Sequence, residues 1–182
     1  MKKDEEFGYE TLEGELCPFC NEKTLTLMET TRDVPFFGTC HLFSMDCQSC
    51  KYHKADIEAE QAQEPCRYTL DITSEEDLKI RVVKSSNADV KVPYIGDITA
   101  GEAANGYITN VEGILNRLKN QIEHLKDAAE EDEERTKAKN LLKKLTRIAW
   151  GQEKAKLIIE DPTGNSAIIS PKAKKEPLKR KK

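Results

Sequence analysis

Apolar and polar residues alternate over much of the chain's first hundred positions, the spacing of strands whose successive side chains face opposite ways. Thr24-Leu25-Thr26-Leu27-Met28 starts the alternation, and Thr39 to Asp46 returns it. On that return arm His41, Phe43 and Met45 share a face with Cys47, while Cys40, Leu42 and Ser44 share the other. Lys54 to Glu60 reads as a half-exposed edge strand. Cys66 to Thr73 and Leu78 to Val83 keep the period around a turn-like Ser74-Glu75-Glu76-Asp77, and Asp89 to Tyr94 follows. Short strands parted by turn residues predict a β-barrel or a double-sheet, jelly-roll-like domain.

The period changes at Thr109. Thr109-Asn110-Val111-Glu112 fits a capping box with Thr109 as the cap. Val111, Ile114, Leu115, Leu118, Ile122 and Leu125 then form one helical stripe, and Ala138, Leu141, Leu142, Leu145, Ile148 and Ala149 a second. Acidic Glu130 to Glu134 precedes the second helix, basic Lys143, Lys144 and Arg147 lie near its end, and Gly151 suits a C-terminal cap. Strand character resumes at Ala155 to Glu160, and the turn-rich Asp161-Pro162-Thr163-Gly164-Asn165-Ser166 leads to Ala167-Ile168-Ile169 as its expected hairpin partner. An antiparallel helical hairpin is thus inserted in a mainly β domain.

Two Cys-x-x-Cys pairs, Cys17/Cys20 and Cys47/Cys50, carry the clearest chemistry. Each pair supplies half of a tetrahedron, the way structural zinc is held, and the 26 residues between Cys20 and Cys47 form a long ribbon hairpin. One Zn2+ held by four thiolates has no open position for substrate, so the metal is expected to be structural. A redox role for Cys17-Pro18-Phe19-Cys20 lacks the βαβ setting such dithiols use. Cys40, His41 and His53 are expected to be ordinary strand or loop residues. No metalloprotease, phosphate-loop or nucleophile-elbow motif is present, which argues against an enzyme.

Charge divides the chain. Pro171 to Lys182 carries seven Lys/Arg against one Glu, or +6, so the rest carries −10 within a net charge of −4. An acidic body disfavours broad contact with nucleic acid. Without a signal-peptide pattern or an apolar run of about eighteen residues, the expected location is the cytoplasm. The expected order is a weakly ordered polar segment at 1–16, a four-cysteine zinc ribbon at 17–53, a β-domain at 54–170 with its helical insertion at about 109–151, and a basic disordered tail at 171–182.

Taken in order, Cys17-Pro18-Phe19-Cys20, the Pro35-Phe36-Phe37 loop, Phe43 to Cys50, Arg67-Tyr68-Thr69-Leu70, Ile108 to Leu115 and Asp161 to Ser166 resemble the ZPR-type zinc-finger family. The form is the single-module one expected in archaea. The resemblance implies a zinc ribbon, a β-domain with an inserted hairpin, and binding to elongation factor 1-alpha with help in its folding. Lys51-Tyr52 departs from the family's usual Gly-aromatic pair, and Asn110 stands where Thr is usual. Partner contact is expected at Pro35, Phe36 and Phe37 and at Asp161, Gly164 and Asn165. Alternatively, Phe36 and Phe37 pack beneath the ribbon or onto the next domain. The rival function is a nucleic-acid-binding ribbon in transcription or on the ribosome, using the basic tail.

Overall fold

The computed structural model describes residues 8–35, 37–61 and 63–178, together with the backbone of 2–4. Phe36 and the Lys179–Lys182 cluster lie outside them. The first sheet is antiparallel, in the order β1 (Lys2–Asp4), β2 (Tyr9–Glu15), β3 (Leu25–Val34), β4 (Gly38–Cys47) and β5 (His53–Ala59). Residues 9–15 are therefore not a loose leader: their alternating Tyr9, Thr11 and Glu13 pair with Thr30, Met28 and Thr26 of β3.

The β-domain has two further sheets. A three-stranded sheet runs β10 (Tyr107–Asn110), β7 (Arg81–Lys84), β12 (Ala167–Ile169). A five-stranded sheet runs β13 (Lys174–Pro177), β6 (Cys66–Ile72), β11 (Ala155–Asp161), β8 (Asp89–Val92), β9 (Gly96–Ile98). The sheets do not close into a barrel; the fold is the double-sheet form. Two expectations change here. The segment 167–169 pairs with β7 rather than with β11, because the Asp161 turn carries the chain across to the other sheet. Within the basic tail, Lys174–Pro177 is an edge strand on β6, and Lys172 Nζ reaches buried Asp77 at 2.5 Å.

Helices α1 (Val111–Ala128) and α2 (Asp132–Ala149) sit between β10 and β11, inserted as expected. The cap of α1 is Asn110, one residue later than Thr109: its side chain accepts from Gly113 N at 2.8 Å. Short polar Asn does this as well as Thr, so the departure at this position costs the helix little. The stripe is buried from Val111 to Ile122, but Leu125, one turn from the helix end, is exposed. Both helices share one core with Leu70, Ile72, Val82, Val90, Val92, Leu157, Ile159 and Ile168.

Strand alternation joins the two halves. Val82 and Ile168 face this core, while Val83, Ile108 and Ile169 face the opposite way, onto Val34, Cys40, Ile57, Leu42 and Phe37 of the ribbon sheet. The three-stranded sheet is thus a middle layer with apolar residues on both sides. The outward edge of β5 is capped by the β-domain. Asn105 Oδ1 accepts from Ala55 N at 2.9 Å, Gly106 N donates to Ala55 O at 2.8 Å, and Asn165 Oδ1 accepts from Ala59 N at 3.2 Å. These bonds satisfy a strand edge that would otherwise be open. Gly106 is needed for the approach, since a Cβ there would lie 2.6 Å from Asp56 Oδ1.

Candidate metal centre and its surroundings

Both cysteine pairs sit on knuckles of the same design. Cys17 N donates to Glu22 O and Asn21 N donates to Cys17 O, both at 2.9 Å; Cys47 N donates to Tyr52 O at 2.9 Å and Lys51 N donates to Cys47 O at 3.1 Å. The residue after each second cysteine is left-handed, Asn21 at φ 59 and Lys51 at φ 62. Asn adopts this conformation readily and Lys at some cost, which is the physical reason glycine is usual after the last cysteine.

The four Sγ atoms lie within 4.8 Å of one another. Cys17 Sγ is 3.8 Å from Cys50 Sγ, and Cys20 Sγ is 3.7 Å from Cys47 Sγ. Zn–S bonds of about 2.3 Å in a tetrahedron place sulfurs about 3.8 Å apart, so the residues fit the ion. Charge points the same way. The Thr24 hydroxyl, 3.3 Å from Cys47 Sγ, and the Cys50 amide lower the Cys47 thiol to about 6. At Cys50 the Tyr52 amide pulls the other way, but desolvation and the neighbouring sulfurs Cys47, Cys20 and Cys17 push the thiol to about 12. A dication held among them would favour the thiolate form of all four. Leu25, Leu27, Met45 and Tyr52 pack around them, and Phe19, exposed, stacks on Tyr52 at 5.8 Å.

The other candidate ligands are elsewhere engaged. His53 Nδ1 lies 2.6 Å from Asp46 Oδ1, and His41 Nδ1 lies 3.7 Å from Glu29. Cys40 and Cys66 are buried, and burial raises both thiols. Each thiol donates to a backbone carbonyl, Cys40 to Gly38 O at 3.6 Å and Cys66 to Ser166 O at 3.8 Å.

Of the residues expected to meet a partner, Pro35 is exposed at the hairpin tip, while Phe37 is half-buried against the junction between ribbon and β-domain. The second set turns inward. Asp161 is 0% exposed and accepts from Ser85 Oγ at 2.8 Å, Ser166 Oγ at 2.5 Å and Thr163 N at 2.7 Å. Gly164 is buried at φ 77 with the Glu64 carbonyl where a Cβ would go, and Asn165 holds β5. This turn is the hinge by which the chain changes sheets, a job its polar sequence did not distinguish from display. Sequence reasoning passed over the exposed Phe19, Tyr94 and Trp150. Tyr94, left-handed at φ 63 after Pro93, holds the turn position where glycine is usual.

Fold and centre together define a four-cysteine zinc ribbon docked on a jelly roll carrying a helical hairpin. Residues 10–65 match the ZPR1 zinc-finger domain and residues 76–182 the ZPR1 jelly-roll domain. The chain belongs to the ZPR1 family. It is 38% identical over 164 residues to an uncharacterized ZPR1-like protein of Methanocaldococcus jannaschii, covering 89% of this chain and 83% of that protein. A second, of Pyrococcus horikoshii, is 32% identical over 167 residues, 89% of this chain and 75% of the other. The zinc finger chaperone zpr1 of Schizosaccharomyces pombe is 28% identical over 159 residues, 84% of this chain but 34% of its own length. Among the described residues no helix is long and apolar enough to cross a membrane.

Proposed function

We propose that this chain is a cytoplasmic binding module, not an enzyme, that engages elongation factor 1-alpha and assists its folding. The observation that carries the reading is the metal centre: four thiolates fill the tetrahedron, so the ion fixes shape and leaves no position for a substrate. What the ribbon then presents is an exposed aromatic, Phe19 stacked on Tyr52, at one end and an exposed proline, Pro35, at the other. Aromatics on a stiff support are suited to holding a protein partner. Support for the chaperone part comes from the family and from the relative named a chaperone.

Refolding provides the test. Denatured elongation factor 1-alpha diluted into buffer with the zinc-loaded chain recovers more GTP-binding protein than with an equal amount of albumin. Equal recovery would contradict the chaperone role. The nucleic-acid alternative leans on the basic tail, of which Lys172 is paired with Asp77 and Lys174 and Lys175 are built into β13.

A further inference from the structure

A cleft of about 610 Å³ lies between the ribbon's last strand, β10 and α1. Its deepest side chain is Lys84, 1% exposed, whose Nζ donates to Ser85 O at 2.9 Å and to Asn105 O at 3.5 Å. Among the described residues no carboxylate forms an ion pair with that ammonium. Asp56, Asp89 and Asp161 are near enough to act on it through space, but each is engaged elsewhere. Asp56 holds Ser86, Asp89 accepts from Ala100 N, and Asp161 accepts from Ser85 and Ser166. The ammonium's direct hydrogen bonds thus go to two neutral carbonyls, and the aspartates balance its charge only through space.

Beside it stands Tyr107, its ring 5.5 Å from Lys84 Nζ, with a buried hydroxyl that has no hydrogen-bond partner among the described residues. Native proteins rarely leave such a group unmade, and the exceptions call for a reason. The Arg117 guanidinium lies 3.9 Å from the same ring, exposed, and forms no ion pair among the described residues. Asn105, Asn120 and Gln121 add amide groups to the wall, and no Asp or Glu lines the cleft among the described residues. The lining itself thus carries two cations and no acid, although Asp56, Asp89 and Asp161 act on Lys84 from outside it.

We propose that this cleft binds a small oxyanion, a carboxylate or phosphate group, between the Lys84 ammonium, the Tyr107 hydroxyl and the Arg117 guanidinium. The oxyanion accepts from the unpartnered hydroxyl and the remaining ammonium proton at depth, and Arg117 closes over it at the rim, as charge-assisted bonds to oxyanions are commonly built. Because the walls come from β7 and β10, from α1 and from Ala55 of the ribbon, the ligand would bridge the two halves of the molecule. The site is separate from the zinc centre and needs no metal.

The test is a titration of the zinc-loaded, ¹⁵N-labelled full chain with inorganic phosphate and, separately, with N-acetylglutamate at fixed ionic strength. Saturable shifts of the Gly106 and Tyr107 amides are expected. Phosphate alone binding identifies a phosphate ligand, acetylglutamate alone a carboxylate, and either supports the site. Tyr107→Phe, which removes only an unpartnered hydroxyl, should leave the unfolding midpoint unchanged or higher while weakening binding roughly 5-fold, and Arg117→Gln should weaken it about as much. Linear, unsaturated shifts with both anions would overturn the proposal, as would saturable binding indifferent to both substitutions.

Discussion

Val82 and Val83 are neighbours in β7, both fully buried, yet they belong to different cores: Val82 packs with the helices and the jelly roll, Val83 with the ribbon. A strand buried on both faces makes the three-stranded sheet a shared wall. The ribbon is therefore not an appendage on a linker; it is docked side by side with the β-domain.

That docking has a polar latch. Asp56 of the ribbon accepts from Ser86 N at 2.8 Å and from the Ser86 hydroxyl, across the junction. Asp56→Ala removes both acceptors and leaves a buried amide unpaired, so stability should fall by about 1–3 kcal/mol in urea unfolding. Asp46→Ala, which removes an exposed ribbon carboxylate paired with His53, should cost well under about 1 kcal/mol, as surface pairs do.

Lys51 holds its knuckle in the left-handed region at φ 62. Lys51→Gly should relieve that strain and raise stability by about 1 kcal/mol, whereas Lys51→Val should lower both stability and zinc affinity. Thermal unfolding with a competing chelator reads both effects. A loss on Lys51→Gly would mean the lysine side chain contributes more than its backbone costs.

Acid stability should depend on Asp77. Burial pushes its carboxyl up, but Lys172 and the amide and hydroxyl of Thr73 outweigh this and hold it well below the usual carboxylate range. A carboxyl depressed in the folded state contributes fully above its unfolded value, about 4, and that contribution is lost as pH falls toward the folded value. Stability should thus decline below about pH 4, and Asp77→Asn should lower stability at neutral pH while flattening that acid slope. Parallel acid slopes in both proteins would contradict the assignment.

Cys17→Ser or Cys47→Ser should abolish zinc binding and loosen the knuckles, since folding of such sites is coupled to the metal. The helix-bearing core contains no ribbon residue among those described, so the helical circular dichroism should persist. Its complete loss would show that the shared wall at β7 makes the two halves a single cooperative unit.

Much of this was legible in the sequence. The cysteine spacing picked out four residues whose sulfurs the fold brings within 4.8 Å of one another, because metal geometry constrains spacing directly, and the change of period at residue 109 marked the helical insertion. Pairing partners were less legible: a short apolar run after a turn marks Ala167 to Ile169 as a strand, but not that the Asp161 turn delivers it to β7. Asp161 and Gly164 read as display residues because a buried turn and an exposed one use the same polar, glycine-rich composition. Strand β13 was hidden by its lysines, which are tolerated at a sheet edge where both strand faces stay wet. The cleft around Lys84 gave no signal, since a lone lysine in a strand does not announce its burial.

Whether this zinc-shaped module binds elongation factor 1-alpha is decided by a pull-down with the zinc-loaded chain against the factor in its GDP and GTP states. Enrichment is expected in at least one state, reduced by Cys47→Ser and by Phe19→Ala. No enrichment in either state would contradict the proposed function.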